Sequence, residues 1–156
     1  RWSPMTNESI QQAVKEFFEE SADFRSPKAE AKWGPVAEWD VSQVTHMKEL
    51  FYDKRWFGEK RQFNADLSKW DVSKVTNMWR MFAGCSAFNG DLSGWDVSKV
   101  TTMSRMFAGC SAFNGDLSGW DVSKVTSKVT NMWGMFICCK EFNCDLKGWK
   151  LAKGVD

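Results

Sequence analysis

The chain has 156 residues, with 21 Lys and Arg against 20 Asp and Glu, a net charge of +1, and 43% hydrophobic residues. Such a length accommodates one domain with a buried core. The balanced charge excludes the long-range field of a nucleic-acid binder or of a protein drawn to an anionic membrane. No apolar run approaches the ~18 to 20 residues of a membrane span, and the first residues do not read as a signal peptide. The sequence opens at Arg1, so a targeting segment ahead of it stays open.

The first element is "MTNESIQQAVKEFFEES", residues 5–21. Thr6 or Asn7 can cap it, and Ile10, Val14, Phe17 and Phe18 share one face with acids opposite, which predicts an amphipathic helix. This helix is expected to cap the remainder of the chain, giving residues 1–38 as capping helix and lead-in and 39–156 as repeats within one domain overall.

From Trp39 the chain repeats itself. Trp39, Trp70, Trp95, Trp120 and Trp149 are spaced 31, 25, 25 and 29 residues apart, and 71–95 differs from 96–120 only at Asn77/Thr102 and Trp79/Ser104. A period of 25 with two insertions falls in the range of leucine-rich-repeat-like stacks. In "DLSGWDV", Leu92, Trp95 and Val97 follow an L-x-x-L-x-L pattern ending in strand-like alternation, while Val100, Met103, Met106, Phe107 and Cys110 fall at helical spacing. Ser98 can start that helix and the "AGC" around Gly109 can end it. The expected fold is therefore α/β, a leucine-rich-repeat-like solenoid of about four coils, each a short parallel strand and a short helix, with an N-terminal capping helix. Neither half buries its apolar face alone, so the coils must stack. Val100, Met103, Phe107, Cys110, Phe113, Leu117, Trp120 and Val122, with their counterparts, should form the core.

The insertions fit this register. Coil one gains a charged loop around "KRWFGEK", and coil four doubles "SKVT", four residues being close to one helical turn. "WKLAKGVD" repeats the start of a coil without a helix after it, so an uncovered end is expected there.

The motifs "WDVSKVTNM" and "MFAGCSAFNGDLS", with the entry "WGPVAEWDVSQVTHM", resemble the 25-residue repeat family of unknown function of mycoplasma surface lipoproteins, widespread also in algae and protists. That family is akin to the BspA-like leucine-rich repeats. The resemblance covers about residues 33–156. It implies a solenoid with adhesion or protein binding, and no reaction; cell-surface or extracellular location follows by analogy, and an organellar complex is the other setting. The compartment itself is not legible. Trp79 and Trp133, the doubled "SKVT", and Cys138 and Cys144 depart from the family's pattern.

Several rows could carry chemistry. Asn64, Asn89, Asn114 and Asn143 read as an inward ladder tying coil to coil. The rows Asp66, Asp91, Asp116, Asp145 and Asp40, Asp71, Asp96, Asp121 need donors, nearby lysines or a cation to relieve like-charge repulsion. No calcium-loop motif accompanies them. Cys85, Cys110 and Cys139 read as one reduced core row, with metal or disulfide chemistry at Cys138, Cys139 and Cys144 as the alternative. The Trp row should face the core. One histidine, His46, and identically repeated carboxylates supply no catalytic constellation, so no enzyme activity and no cofactor or metal is expected.

What remains is an interaction surface. Trp79, Arg80, Arg105 and Trp133 flank the core face, and Trp149 and Leu151 lie at the uncovered end; Trp and Arg favour protein interfaces. The expected function is a non-enzymatic protein-binding module, acting in surface adhesion or as an accessory structural subunit of a larger, algal organellar or other complex. Protein partners are expected at the C-terminal end or the Trp79/Arg105 face, with no nucleic acid and no transmembrane segment. Carbohydrate or ice binding by regular rows, such as Thr45, Thr76, Thr101 and Thr126, is the alternative.

Overall fold

A computed structural model describes residues 2–54, 62–125 and 131–151. Helix α1 (Asn7–Glu20) is capped by Thr6, whose hydroxyl accepts from the Ser9 N–H while the Ser9 hydroxyl accepts from the Thr6 N–H. This reciprocal cap satisfies two donors that a helix start otherwise leaves open. Ile10, Val14 and Phe17 are buried as the periodicity requires. A second helix, α2 (Pro27–Trp33), starts at Ser26 with Pro at its first turn. Glu16 of α1 ties the two helices by accepting from Lys32 Nζ at 2.8 Å and Trp33 Nε1 at 2.7 Å. Hydrogen bonds from Gln12, Lys32 and Trp33 hold the Glu16 carboxyl down to about 2.

From Trp39 the chain forms stacked coils, here coil 1 (39–69), coil 2 (70–94), coil 3 (95–119) and coil 4 (120–148). Among the described residues they contain no sheet, and parallel pairing is confined to isolated bridges His46 to Asn77 and Asn77 to Thr102. Among the described residues of coils 1 to 3 the segments expected to be helical are not helices either. This overturns the expected α/β leucine-rich-repeat-like solenoid of short parallel strands and short helices. The coils are built of turns, and two features of the backbone account for it.

First, the stretch expected as helix splits its N–H groups between two directions. Those of Met81, Ala83 and Cys85 bond back three residues, to Met78, Arg80 and Phe82 carbonyls. Those of Met78, Arg80, Phe82 and Gly84 instead reach the next coil, at Thr102, Ser104, Met106 and Ala108 carbonyls, 2.7 to 3.0 Å away. The apolar spacing i, i+3, i+4 is thus produced by successive turns. A left-handed residue recurs at one position, Glu49 (φ 55°), Arg80 (52°), Arg105 (54°) and Gly134 (63°), and breaks any right-handed helix there. Second, the stretch expected as strand is pinned by two Asx turns. Asp91 Oδ1 accepts from the Ser93 N–H and hydroxyl, and Asp96 Oδ1 from those of Ser98, so local side-chain bonds replace a ladder on both sides of Trp95. Ser98 therefore serves a turn and caps no helix.

The stacking register expected from the Trp spacing nonetheless holds through both insertions. Coil 1 donates from Met47, Glu49, Phe51 and Asp53 to coil 2, and coil 3 donates from Met103, Arg105, Phe107 and Gly109 to coil 4, in the same pattern. The charged insertion and most of the doubled "SKVT" lie outside the described residues.

The core is an aromatic stack. Phe51, Phe82, Phe107 and Phe136 succeed one another at 5.6 to 5.8 Å, and Phe63, Phe88, Phe113 and Phe142 at 5.7 to 5.9 Å. Trp120 stands between Trp95 and Trp149, 6.5 and 6.4 Å away, with its ring nearly parallel to both. The eight core positions named for coil 3 and the start of coil 4 are all buried. Helix α1 closes the first coil: Asn7 Oδ1 accepts from the Thr45 and His46 N–H groups, and Gln11 Nε2 donates to the Lys48 carbonyl.

Candidate functional site: an aromatic and basic strip on the coil stack

The inter-coil bonds place Lys48, Trp79, Ser104 and Trp133 side by side, because Glu49 donates to the Trp79 carbonyl, Arg80 to Ser104 and Arg105 to Trp133. Each succeeding residue, Glu49, Arg80 or Arg105, has the left-handed backbone that turns its side chain alongside this column. The Arg80 guanidinium lies 4.3 Å from the Trp79 ring centre and 5.5 Å from that of Tyr52, with Glu49 at 4.0 Å. Lys48 Nζ stands 4.8 Å from the Trp79 ring, and the Arg105 guanidinium 4.3 Å from the Trp133 ring. Cation–π contacts of this kind contribute about 0.5 to 2 kcal/mol each, depending on desolvation.

The two tryptophans differ in exposure. Trp79 is half-buried among its cations, whereas Trp133 is 50% exposed and its neighbour Ile137 45%. Ser104, between them in the column, is buried and donates to the Trp133 carbonyl at 3.0 Å. Trp149 and Leu151 sit elsewhere, half-buried at the end of the core, with Trp149 Nε1 donating to the Leu117 carbonyl at 2.8 Å. Arg80 with Trp79, and Arg105 with Trp133, are thus brought together in one strip, and Trp149 and Leu151 are not part of it. Sequence reasoning missed Lys48 and Glu49, the coil 1 equivalents of Trp79 and Arg80, and Tyr52, the equivalent of Ala83.

The outer face of coil 4 carries a second feature. The N–H groups of Met132, Gly134, Phe136 and Cys138 are the equivalents of those that bond forward in coils 1 to 3, and among the described residues they have no acceptor. Phe136, Phe142 and Leu146, whose counterparts in coil 3 are fully buried, are only half-buried here.

The remaining rows are occupied by local structure. The Asn row ties coil to coil as expected, with Asn64, Asn89 and Asn114 Oδ1 each accepting the next Asn N–H at 2.9 to 3.0 Å, although these asparagines are exposed, not inward. Each Asp of both rows accepts from the residue two positions on, and these bonds lower the Asp40, Asp66, Asp71, Asp91, Asp96, Asp116 and Asp121 carboxyls below the ordinary aspartate range. Cys85, Cys110 and Cys139 point their thiols at Phe51, Phe82 and Phe107 carbonyls at 3.0, 3.0 and 2.8 Å. Burial pushes the Cys110 thiol well up and Cys139 to about 11, so neither forms a ready thiolate. All five cysteines are free. Among the described residues no three His, Cys, Asp or Glu side chains converge to hold a metal ion, and no helix is long and apolar enough to cross a membrane.

A stack of near-identical, turn-built coils with a capping helix defines the class as a repeat protein. The chain belongs to the family described as "Mycoplasma protein of unknown function, DUF285", which it matches over residues 12–127 and again over 126–156. No curated protein and no solved structure matches it.

Proposed function

We propose that the chain is a non-enzymatic protein-binding repeat module, serving in surface adhesion or as an accessory subunit of a larger assembly. The observation that carries this is the Arg105 and Trp133 pair beside exposed Ile137, adjoining the N–H row of coil 4 that has no acceptor among the described residues. A half-exposed Trp held by an Arg is preorganised, so little side-chain entropy is lost when a partner covers it. The N–H row would favour a partner that offers backbone carbonyls along the same edge.

Carbohydrate or ice binding by the threonine row is less favoured, because the Thr76 and Thr101 hydroxyls are already engaged in donating to the Thr45 and Thr76 carbonyls. The test is capture from native extract with the immobilised chain, alongside a Trp133→Ala/Arg105→Ala variant. A partner retained by the parent and lost at least about tenfold by the variant supports the reading. Retention of every partner by the variant, or binding on a glycan array with no protein partner, refutes it.

A further inference from the structure

The outer edge of coil 4 is biased towards hydrogen-bond donors. Its backbone carbonyls are engaged: the odd-numbered ones from Asn131 to Ile137 accept from coil 3 at 2.7 to 3.0 Å, and the even-numbered ones from Met132 to Phe136 accept from the N–H three positions on. The N–H groups of Gly134, Phe136 and Cys138 have no acceptor among the described residues. A row of donors without acceptors selects a partner that brings acceptors.

The side chains beside this row carry the same bias. The core tryptophans Trp39, Trp70, Trp95, Trp120 and Trp149 each donate Nε1 to a carbonyl, whereas Trp133 Nε1 has no acceptor among the described residues. Arg105 departs from Arg80 in the same sense. Arg80 has Glu49 at 4.0 Å, while Arg105 lies over the Trp133 ring with no carboxylate partner among the described residues. A guanidinium stacked on a ring keeps its in-plane N–H groups for a carboxylate fork. From residue 126 onward the sequence holds five lysines against three acids, so charge at this end draws an acidic partner in preference to a basic one.

The bonds between coils fix how an occupant lies. Arg105, Phe107 and Gly109 donate to the Trp133, Met135 and Ile137 carbonyls, so donors and acceptors advance together by two residues in the same direction. Where coils 2 and 3 have Arg80 and Arg105, coil 4 has Gly134, which leaves room for a second backbone to approach. We propose that this edge binds an acidic segment of a partner protein, running parallel to Gly134, Phe136 and Cys138, with alternate carbonyls on their N–H groups and an Asp or Glu carboxylate on Arg105. The proposal rests on the protein-binding reading and names the chemistry of the partner.

The full chain is titrated with a blocked seven-residue peptide alternating Ser and Glu, and with its Gln-for-Glu counterpart, while backbone and indole N–H resonances are followed by NMR. Saturable shifts are expected at Gly134, Phe136, Cys138 and the Trp133 indole, with Met78 and Phe82, which already donate forward, unmoved. The Gln peptide should bind at least about tenfold more weakly. Arg105→Gln should lose a similar factor and Arg105→Lys, which keeps the charge without the fork, a smaller one. Lys99→Gln, the same charge change at an exposed residue outside the strip, should stay within about twofold of the parent.

No saturable shift, equal binding of the two peptides, parent-like binding by both Arg105 variants, or tighter competition by a single-stranded DNA of equal charge would overturn the proposal. Failure of both peptides, with a captured partner still lost by the Trp133→Ala/Arg105→Ala variant, refutes the acidic segment and leaves the protein-binding reading standing. Shifts with the acidic peptide, with every captured partner retained by that variant, do the reverse.

Discussion

Arg105 separates a turn-built coil from a helical one by the sign of a single comparison. Its φ of 54° places it in the left-handed region, in the middle of the segment whose apolar spacing suggests a helix. Arg105→Ala and Arg105→Gly both remove the guanidinium from Trp133, so their difference isolates the backbone. In a helix interior Ala is favoured over Gly by about 1 kcal/mol. At a left-handed position Ala keeps a steric penalty of roughly 1 to 2 kcal/mol that Gly does not have. The structure therefore predicts the glycine variant to be the more stable by about 1 kcal/mol, a reversal of some 2 kcal/mol against the helical alternative. For a chain of 156 residues that is a Tm about 2 to 4 °C higher for Gly than for Ala in thermal unfolding. The equivalent Gly134 supplies the converse: a Cβ there meets Arg105 Cγ and Ile137 Cδ1 at an ordinary 3.4 Å, so Gly134→Ala should cost only the backbone term, about 1 kcal/mol. An alanine variant at 105 more stable than the glycine variant would refute the turn geometry.

Gly84→Ala should be worse than either, because φ is 80° and a Cβ would lie 2.6 Å from the Asp53 carbonyl oxygen, a backbone atom; a loss of about 2 to 4 kcal/mol is expected, while Gly94→Ala, with nothing within 4 Å, should be near neutral, both by urea denaturation. Phe107→Ala, at a fully buried ring stacked on Phe82, Phe113 and Phe136, should cost ~3 to 5 kcal/mol, and Phe136→Ala, half-buried, roughly half as much; equal losses would mean that coil 4 is covered as fully as coil 3. Asp40, Asp66, Asp71, Asp91, Asp96, Asp116 and Asp121 have folded pKa values below the ordinary 3.8, chiefly through the serine two residues on. Their contribution is then complete above the ordinary aspartate value and drains as pH falls below it through the lowered values. The urea midpoint should drop along that interval, and less steeply in Ser98→Ala.

The sequence exposed the columns more clearly than the local structure within them. The Trp spacing placed Val100, Met103, Phe107, Cys110, Phe113, Leu117, Trp120 and Val122 inside, and all are buried. Burial needs only a correct repeat register, and near-identity of 71–95 and 96–120 makes the register unmistakable. Local structure needs the direction of each N–H group, which apolar spacing does not report: i, i+3, i+4 arises from a helix and equally from consecutive turns. The informative cue was Asp-x-Ser on each side of the tryptophan, as in Asp91 to Ser93 and Asp96 to Ser98, where a short acceptor two residues ahead of a donor favours an Asx turn over a strand. Left-handed Arg80 and Arg105 carried no such cue, since Arg has no intrinsic preference for that region. The Arg80 and Trp79 and the Arg105 and Trp133 pairs were visible as neighbours in sequence; that each cation lies over its ring depends on the left-handed backbone and was not.

The alternation of N–H directions also gives the stack a polarity that a parallel sheet would lack. In a β-strand one residue's N–H and C=O project the same way, so each edge offers both donors and acceptors. Over this segment the forward row is N–H: Met78, Arg80, Phe82 and Gly84 donate to coil 3, whose own forward row, Met103, Arg105, Phe107 and Gly109, donates to coil 4. The backward row over the same segment is carbonyl, at Asn77, Trp79, Met81 and Ala83, which accept from coil 1, while Thr76 just before it donates its N–H back to the Thr45 carbonyl. At the capped end Gln11 of α1 reaches the Lys48 carbonyl of the corresponding row. The two ends therefore differ chemically. Two copies meeting coil 4 to coil 4 along this row would set donors against donors, and a head-to-tail arrangement would meet α1 in place of a free carbonyl row. A partner that satisfies Met132, Gly134, Phe136 and Cys138 has to bring carbonyls at alternate residues, as the next coil of this same repeat would. The near-identity of successive coils follows from the same constraint, because each must present to one neighbour the row of acceptors that it requires from the other.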